Sequence, residues 1–424
     1  MLQLSFIREN AAHVIERLAV KNFDAGAIVE RLIKLDAEKR SHQQEVEALL
    51  AEQNTLARQI GDLYKAGKKA EGDDLKNRSA ALKELSKKLE DTLASVEQEL
   101  YAEQVKLPNI PSEKVPKGKT PEENENIFSS ISVLPVMPKE ALPHWELATK
   151  YDIIDFELGN KITGAGFPVY KGKGAKLQRA LINFFLNEAE KAGYYEVQPP
   201  LLINEASGFG TGQLPDKEGQ MYHVGIDNFY LIPTAEVPVT NLFRDVIVKE
   251  SEMPIKYTAY TPCFRREAGS YGAHVRGLNR LHQFDKVEIV QVQHPSKSYE
   301  TLEEMKDYVT GLLRLLELPY RVLRLCGGDM SFASALTYDM EVYSAAQQKW
   351  LEVSSVSNFE TFQSNRLKLR YREGSNKPQL AHTLNGSALA LPRIVAALLE
   401  NNQQPDGIHI PEILVPYTGF NIIN

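Results

Sequence analysis

A long stretch without proline constrains the fold of this chain more than any other feature. From about residue 28 to residue 63 the sequence has no proline and only one glycine, Gly61, and apolar side chains recur at spacings of three and four residues. They are Val46, Leu49, Leu56, Ile60 and Leu63, with Gln53 in one apolar position. This spacing predicts one long helix with a single apolar stripe.

A second helix follows after a charged turn. The segment 65–73 mixes two glycines with charged residues, as exposed turns do. An apolar stripe then restarts with Leu75, Leu82, Leu85, Leu89, Val96 and Leu100. At 1.5 Å per residue each helix is about 50 Å long, more than a compact domain needs. We therefore predict a projecting antiparallel coiled-coil arm over residues 28–104. Dimerisation between chains would produce the same heptads, but the glycine-rich turn favours a hairpin.

Basic side chains gather near the predicted turn. They are Lys65, Lys68, Lys69, Lys76, Arg78, Lys83, Lys87 and Lys88. Such a cluster is suited to contact phosphates, although a solvated helix face is the commoner reason for these charges.

Proline marks the boundary of a second domain. Seven prolines fall within residues 107–143, against about two expected at the usual proline content of ~5%. We predict a helical domain at 1–106, a linker at 107–143 and an α+β domain at 144–424. In the last segment, helical stretches such as 175–191 alternate with short β-branched and aromatic runs such as 228–232.

Composition excludes several classes of protein. The 424 residues have a formal net charge of -7, so any contact with RNA must come from a local basic surface. Cys263 and Cys326 are too few for a disulfide framework or a clustered zinc site, so no zinc is expected. Charged residues interrupt the first twenty positions, and no apolar run is long enough to span a membrane. A cytoplasmic location is expected.

Two predicted strands carry most of the polar chemistry. The sequence contains neither GxxxxGK[ST] nor a strand-anchored GxGxxG, so ATP, if used, must be held by side chains. The segments 263–269 and 280–288 are predicted to form a long hairpin. Alternation puts Arg265 and Glu267 on one face, and likewise Phe284, Lys286 and Glu288, while Val287 and Ile289 face the core. A polar ligand site fits this face, and so does a solvated sheet with cross-strand ion pairs.

The same residues carry a family resemblance. Phe264-Arg265-x-Glu267 followed by His282-Gln283-Phe284 resembles motif 2 of class II aminoacyl-tRNA synthetases. The sequence of residues 282–288 is similar to that of the seryl-tRNA synthetases in particular. Other motifs lie before and after these residues in the family's order: 210–215 (GTGQLP), 234–236 (TAE), 337–341 (TYDME), 352–355 (EVSS) and 383–387 (TLNGS). The implied fold is an N-terminal antiparallel two-helix coiled-coil arm plus a class II catalytic domain built on an antiparallel sheet flanked by helices.

The resemblance implies an ATP site. Arg265 would bridge the α-phosphate and the substrate carboxylate, Glu267 would accept from the adenine amino group, and Phe284 would stack on the base. Arg393 would clamp the γ-phosphate and Arg280 the pyrophosphate end. The implied ATP contacts are Arg265, Arg266, Glu267, Arg280, Phe284, Glu352, Val353, Ser354, Ser355 and Arg393, with Arg265 and Arg393 catalytic. Pro392 stands where the family usually has glycine, and proline is tolerated at a helix start.

A metal and an amino-acid pocket are implied as well. Glu352 and Ser355 resemble the family's Mg²⁺ ligands, and their hard oxygens suit that ion. Simple strand alternation would place these two side chains on opposite faces, so the assignment requires a bulge or a strand end. The implied serine contacts are Thr234, Ala235, Glu236, Arg265, Glu288, Asn385 and Ser387.

The activity implied by the resemblance is the ATP-dependent attachment of serine to serine tRNA, with charging of selenocysteine tRNA left open. The arm would bind the tRNA, and Pro199-Pro200 resembles motif 1, which implies a homodimer. Two rivals are a ligase that charges a carrier protein, against which residues 28–104 argue, and a catalytically dead RNA-binding or coiled-coil scaffold, against which the complete set of ATP-contacting side chains argues.

Overall fold

The computed structural model describes residues 1–267 and 276–424. The loop of the predicted hairpin, which begins at Ala268 and Gly269, lies outside the described residues. The chain forms two compact units, one of residues 1–19 and 23–108 and the other of residues 20–22 and 109–424.

The first unit is helical. Its helices are α1 (Leu4–Glu9), α2 (Ala11–Val20), α3 (Gly26–Lys65) and α4 (Lys69–Gln104). The 40 residues of α3 correspond to about 60 Å of helix at 1.5 Å per residue. Only residues 66–68 separate α3 from α4, and Gly67 has a φ of 75°, which glycine adopts without strain.

The two long helices pack antiparallel to each other. Arg31 contacts Glu99 across the pair, Lys39 lies 2.9 Å from Glu97, and Arg78 lies 2.5 Å from Glu52. The intrachain hairpin is therefore confirmed. Exposed ion pairs contribute little to stability because solvent screens them, so the apolar stripe between the helices supplies most of the stability of the arm.

The stripe on α4 differs from the predicted one at one position. Leu85 is 53% exposed, whereas Ser86 is buried. The interior positions run through residues 75, 79, 82, 86, 89, 93, 96 and 100. Ser79 and Ser86 occupy two of these heptad positions. The prediction was wrong in assigning the neighbouring Leu85 to the interior in place of Ser86.

The second unit contains the remaining helices and all the strands. The helices are α5 (His144–Lys150), α6 (Phe156–Ile162), α7 (Gly172–Lys191), α8 (Glu205–Thr211), α9 (Glu236–Asn241), α10 (Ser298–Leu315), α11 (Thr361–Leu367), α12 (Leu391–Asn401) and α13 (Val415–Thr418). The strands up to the family's second motif are β1 (Glu125–Ser129), β2 (Ile154–Asp155), β3 (Val169–Tyr170), β4 (Tyr195–Glu196), β5 (Leu202–Ile203), β6 (His223–Val224), β7 (Phe229–Leu231), β8 (Ile247–Lys249), β9 (Ile255–Phe264) and β10 (Gln283–Gln293). The later strands are β11 (Tyr320–Arg324), β12 (Leu336–Ser344), β13 (Lys349–Glu360), β14 (Arg370–Arg372), β15 (Gln379–Leu380), β16 (His382–Ala390), β17 (Gln403–Gln404), β18 (Gly407–His409) and β19 (Ile422–Ile423).

An eight-stranded sheet organises this unit. Its strand order is β1-β11-β12-β13-β16-β10-β9-β4, and every neighbouring pair is antiparallel except β4 with β9. Apolar side chains of the sheet pack with those of α7, α10 and α12 in one buried core. The predicted antiparallel sheet flanked by helices is confirmed.

The proline-rich segment 107–143 belongs mostly to this second unit. Its strand β1 pairs with β11 at one edge of the large sheet, and Asn109 donates hydrogen bonds of 2.9 Å to the carbonyl oxygens of Ala333 and Phe359. The prolines thus set an extended path along the unit's surface. The division into domains at residues 106 and 143 stays a prediction.

In the described part of the chain, no helix combines the length and the apolarity that crossing a bilayer would require.

Candidate active site

One cavity of about 620 Å³ in the second unit brings the predicted site residues together. Ala235 and Arg266 are the predicted residues that do not line it: Ala235 is fully buried behind the wall, and the backbone N–H of Arg266 donates to the carbonyl oxygen of Gln220. The lining includes Thr234, Glu236, Arg265, Glu267, Arg280, Phe284, Glu288, Glu352, Val353, Ser354, Ser355, Asn385, Ser387 and Arg393.

Strand β10 forms the floor of the cavity. Phe284, Lys286 and Glu288 point into the cavity, while Val287 and Ile289 are fully buried in the core on the other face. The predicted alternation along this strand is therefore confirmed, and it results from the two-residue period of an extended chain.

The partner segment departs from the predicted strand. Strand β9 ends at Phe264, and Glu267 has a φ of 48°, which an extended strand does not permit. Arg265 and Glu267 therefore lie on the connection after the strand, although both still line the cavity. The Arg265 guanidinium lies 5.2 Å from the centre of the Phe284 ring, and its Nε donates to the carbonyl oxygen of Pro233 at 3.3 Å.

Glu267 is paired rather than free. Its carboxylate accepts a hydrogen bond from Nε of Arg280, which returns from the other end of the same connection. The pair closes one end of the cavity with a guanidinium group that is 44% exposed.

The opposite end of the cavity holds two buried carboxylates and one buried lysine. The Lys286 ammonium lies 2.5 Å from Glu288 and donates to Oγ1 of Thr234 at 2.7 Å. The side chains of Lys286 and Glu288 are 6% and 2% exposed. Lys286 therefore neutralises one of the two negative charges, those of Glu236 and Glu288, that would otherwise face each other here. The sequence placed Lys286 on this face but suggested no role for it.

Glu236 is the second carboxyl group, and its surroundings disfavour its charged form. Burial raises the pKa of its carboxyl to about 7, and the nearby charge of Glu288 acts in the same direction. Gln363 opposes this rise because its Nε2 donates to Oε1 of Glu236 at 2.7 Å. Sequence analysis missed Gln363, whose own Oε1 accepts from Thr383 at 2.7 Å. Gln363 lies on α11 and outside the quoted motifs, so the sequence offered no signal for it.

Strand β16 adds polar groups beside β10. Ser387 pairs with Glu288 in the strand register, and its Oγ lies 3.5 Å from Oε2 of Glu288. Asn385 lies two residues earlier on the same face and also lines the cavity.

A bulge brings Glu352 and Ser355 to one side of β13. Met340 pairs with Ser354, but the next residue of β12, Glu341, pairs with Glu352, so Val353 is the extra residue. The predicted bulge is confirmed, and both oxygen-bearing side chains line the cavity. This is how an inserted residue redirects a strand's side chains.

Arg393 enters the cavity from the first turn of α12. Its NH1 group donates to the carbonyl oxygen of Glu352 at 2.7 Å and lies 3.5 Å from that residue's carboxylate. Its Nε donates to the carbonyl oxygen of Asn279 at 3.1 Å. Pro392 occupies the first turn of the helix, where a missing N–H costs nothing, so it leaves Arg393 in place.

The arrangement has a clear chemical character. Three arginines project into the cavity, an aromatic ring lines its floor, and two buried carboxylates lie at one end. Such a site fits a substrate with a polyanionic part, a flat base and a cationic amino group.

Family models match both units. Residues 1–111 match the seryl-tRNA synthetase N-terminal domain, and residues 222–402 match the tRNA synthetase class II core domain (G, H, P, S and T).

Whole-chain relatives agree with these models. The serine–tRNA ligase of Salinibacter ruber is 49% identical over 99% of this chain and 98% of that protein, and the one of Chlorobaculum parvum is 45% identical over the full length of both. Among solved structures, seryl-tRNA synthetase from Pyrococcus horikoshii complexed with ATP is 31% identical with a TM-score of 0.93, covering 100% of this chain and 99% of that one. The cytoplasmic serine–tRNA ligase of Naegleria fowleri in complex with AMP is 25% identical with a TM-score of 0.88, over 100% of this chain and 99% of that chain.

Proposed function

Because this chain belongs to the seryl-tRNA synthetase family of class II and is a serine–tRNA ligase that consumes ATP, we propose that the cavity described above is where serine and ATP react. The observation that carries the proposal is the convergence of arginines, an aromatic ring and carboxylates from β10, β13, β16 and α12 on one space of about 620 Å³. The solved relative from Pyrococcus horikoshii, complexed with ATP, supports it.

ATP would lie along the side of the cavity that holds the arginines. Phe284 offers a flat face for adenine, and Glu267 offers a carboxylate for its amino group. Arg265 is suited to hold the α-phosphate, because a planar guanidinium can bind two anions at once. Arg280 and Arg393 would bind the β- and γ-phosphates, and Glu352 to Ser355 would line the same path. Arg266, which does not line the cavity, is proposed as a peripheral contact only.

Serine would occupy the end that contains the carboxylates. Glu236 and Thr234 would receive its ammonium group, while Glu288 and Ser387 would bind its hydroxyl group. Arg265 would bind the serine carboxylate and thereby join the two halves of the site. Asn385 would complete the polar wall, and Ala235, which is buried behind that wall, would hold its neighbours Thr234 and Glu236 in place.

Magnesium suits the donors at the bulge. Glu352 and Ser355 offer a carboxylate and a hydroxyl, the hard oxygens that Mg²⁺ prefers. Behind them Asp339 pairs with Ser355 in the register, and its buried Oδ1 has no hydrogen-bond partner among the described residues, so it can accept from a metal-bound group. When bound, the ion would offset the negative charge of the phosphates.

The reaction needs no protein nucleophile. A serine carboxylate oxygen forms a bond to the α-phosphorus as the bond to the pyrophosphate oxygen breaks, which gives seryl-adenylate and pyrophosphate. Arg265 and Arg393 position the reactants and stabilise the charge that develops on the phosphates. The seryl group then passes to the terminal adenosine of tRNA, and AMP leaves.

The arm of residues 1–106 is proposed to bind serine tRNA, and residues 144–424 to carry out the chemistry, with 107–143 connecting them. The basic residues near its turn are all exposed, which supports this role. Charging of selenocysteine tRNA is a further outcome to test. A homodimer is supported by the exposed apolar residues Tyr195, Leu201 and Leu202 around Pro199-Pro200, and a cytoplasmic location remains our expectation.

Serine-dependent ATP–pyrophosphate exchange tests the proposal directly. We expect Arg265→Ala to lower the rate by about 10²–10³, the usual effect of losing one preorganised group that stabilises a transition state. The matched control is Arg314→Ala, which removes an exposed arginine at the end of α10. Near-normal exchange by folded R265A protein would contradict the assignment of this cavity.

A further inference from the structure

His144 and Glu400 form a buried pair away from the cavity. His144 is the first residue of α5, Glu400 lies near the end of α12, and both side chains are 0% exposed. Neither residue lines the cavity. Burying a polar pair this completely is costly unless its hydrogen bonds are satisfied, so their partners are informative.

The hydrogen bonds fix the tautomer of the imidazole. The backbone N–H of His144 donates to Oε1 of Glu400 at 2.8 Å, and Nδ1 lies 2.7 Å from the same oxygen. On the other side of the ring, Nε2 accepts from the backbone N–H of Leu278 at 2.8 Å. Because Nε2 accepts a hydrogen bond, it carries no proton, so the ring is neutral with its hydrogen on Nδ1.

Glu400 receives donors from a second direction. The side-chain amide of Gln347 donates to Oε1 at 2.7 Å, and Oγ of Ser344 donates to Oε2. Gln347 in turn accepts a hydrogen bond of 3.0 Å from Nδ2 of Asn279. Thus Leu278 and Asn279 are tied to Glu400 through two separate routes.

The segment held in this way carries cavity residues. The carbonyl oxygen of Asn279 accepts from Arg393, and the next residue, Arg280, pairs with Glu267. The approach is close: Gly277 has a φ of 69°, and a Cβ atom added to it would lie 2.2 Å from Nε2 of His144. Only glycine permits the backbone to pass here.

We infer that His144 is a positioning residue for ATP binding: it fixes residues 277–280 against α12 so that Arg280 and Arg393 face the triphosphate together. The effect passes through the Leu278 N–H and the Asn279 carbonyl, and His144 itself touches no substrate. The inference rests on the proposed roles of Arg280 and Arg393.

Two matched variants test separately the hydrogen bonds made by Nδ1 and by Nε2 of His144. In His144→Asn the amide nitrogen can still donate to Glu400, but nothing accepts from Leu278. In His144→Gln the amide oxygen lies near the position of Nε2 and restores that acceptor. In pyrophosphate exchange we expect H144N to raise the KM for ATP about tenfold or more, since small displacements of reacting groups cost up to ~10²-fold. H144Q should recover most of this loss, and the KM for serine should change little in both.

The control is Thr301→Val, which removes the hydroxyl that accepts from Gln293 at 3.0 Å in the buried face of α10. It should lower the melting temperature without changing the KM for ATP. A purely structural role for His144 would lower stability in H144N and H144Q alike with no separate change in the KM for ATP, and that result would overturn the inference.

Arg393→Ala distinguishes this failure from failure of the proposed function. If R393A leaves the KM for ATP unchanged, the triphosphate site itself is wrong. If R393A raises that KM while H144N does not, the site stands and the role of His144 falls.

Discussion

At the scale of single residues, three charged side chains define the end of the cavity where we propose that serine binds. Glu236, Lys286 and Glu288 are all buried. Lys286 forms its ion pair with Glu288 and not with Glu236. The negative charge of Glu236 is therefore the one that a bound ammonium group would balance. Burial is the main cause of the raised pKa of Glu236, about 7, and the nearby charge of Glu288 adds to it.

This arrangement predicts that serine binding depends on pH. Below about pH 7 the empty site holds Glu236 in its protonated form, whereas the serine complex needs the carboxylate. Binding should therefore release a proton, and the affinity for serine should weaken about tenfold for each pH unit below the pKa and level off above it. Calorimetry in buffers of different ionisation enthalpy measures both quantities.

Glu236→Gln should bind serine weakly with no such pH dependence, whereas the exposed Glu300→Gln should behave as wild type. Proton uptake on binding, or a serine affinity that increases as the pH falls, would show that Glu236 does not receive the ammonium group.

Most of these residues could be predicted from the sequence for a physical reason. Phe284, Lys286 and Glu288 alternate along one strand, and a two-residue period is readable without a structure. Gln363 and Asn279 could not be predicted in the same way, because their partners, Glu236 and Arg393, lie more than a hundred residues away in the sequence. The end of β9 at Phe264 was missed because a positive φ at Glu267 leaves no trace in an alternating pattern.

At the scale of elements, the arm shows what heptad reasoning can and cannot establish. Its hairpin topology followed from helix length and turn composition. The register of α4 did not, because polar residues occupy interior positions 79 and 86. In α3, Gln53 fills a predicted interior position, and its Nε2 is buried without a hydrogen-bond partner in the described part of the chain.

Gln53→Leu should therefore stabilise the arm. Replacing a buried, unpaired amide by an apolar side chain removes a cost of about 1–3 kcal/mol. Hydrogen exchange of the full chain should show slower opening of α3 around residue 53. The control is Gln43→Leu on the exposed face, where no gain is expected. Faster exchange in Q53L would mean that the amide is satisfied by water or by another group.

At the scale of the whole molecule, the two units are expected to have separable tasks. We predict that a short Gly/Ser linker in place of residues 28–104 leaves seryl-adenylate synthesis largely intact and strongly reduces tRNA charging. The residues that line the cavity all belong to the second unit, so we expect adenylate synthesis not to require the arm.

Salt provides a second readout of the same prediction. Each phosphate neutralised by a lysine or arginine contributes about -0.7 to -0.9 to the log–log slope of binding against salt. Charging by the intact enzyme should fall with salt far more than adenylate synthesis does. Loss of adenylate synthesis in the folded shortened enzyme, or unchanged charging at limiting tRNA, would contradict the division.

The strand order of the large sheet has a consequence for biosynthesis. Strand β16 lies between β13 and β10, so until the ribosome has delivered residues 382–390 the sheet exists as two halves with open edges. Unpaired edges of long apolar strands are aggregation-prone. Nascent chains that end between β13 and β16 should therefore depend on chaperones, and premature stop codons in that interval should yield insoluble fragments rather than partly active ones. Completion of β16 closes both edges and supplies Asn385 and Ser387 to the cavity.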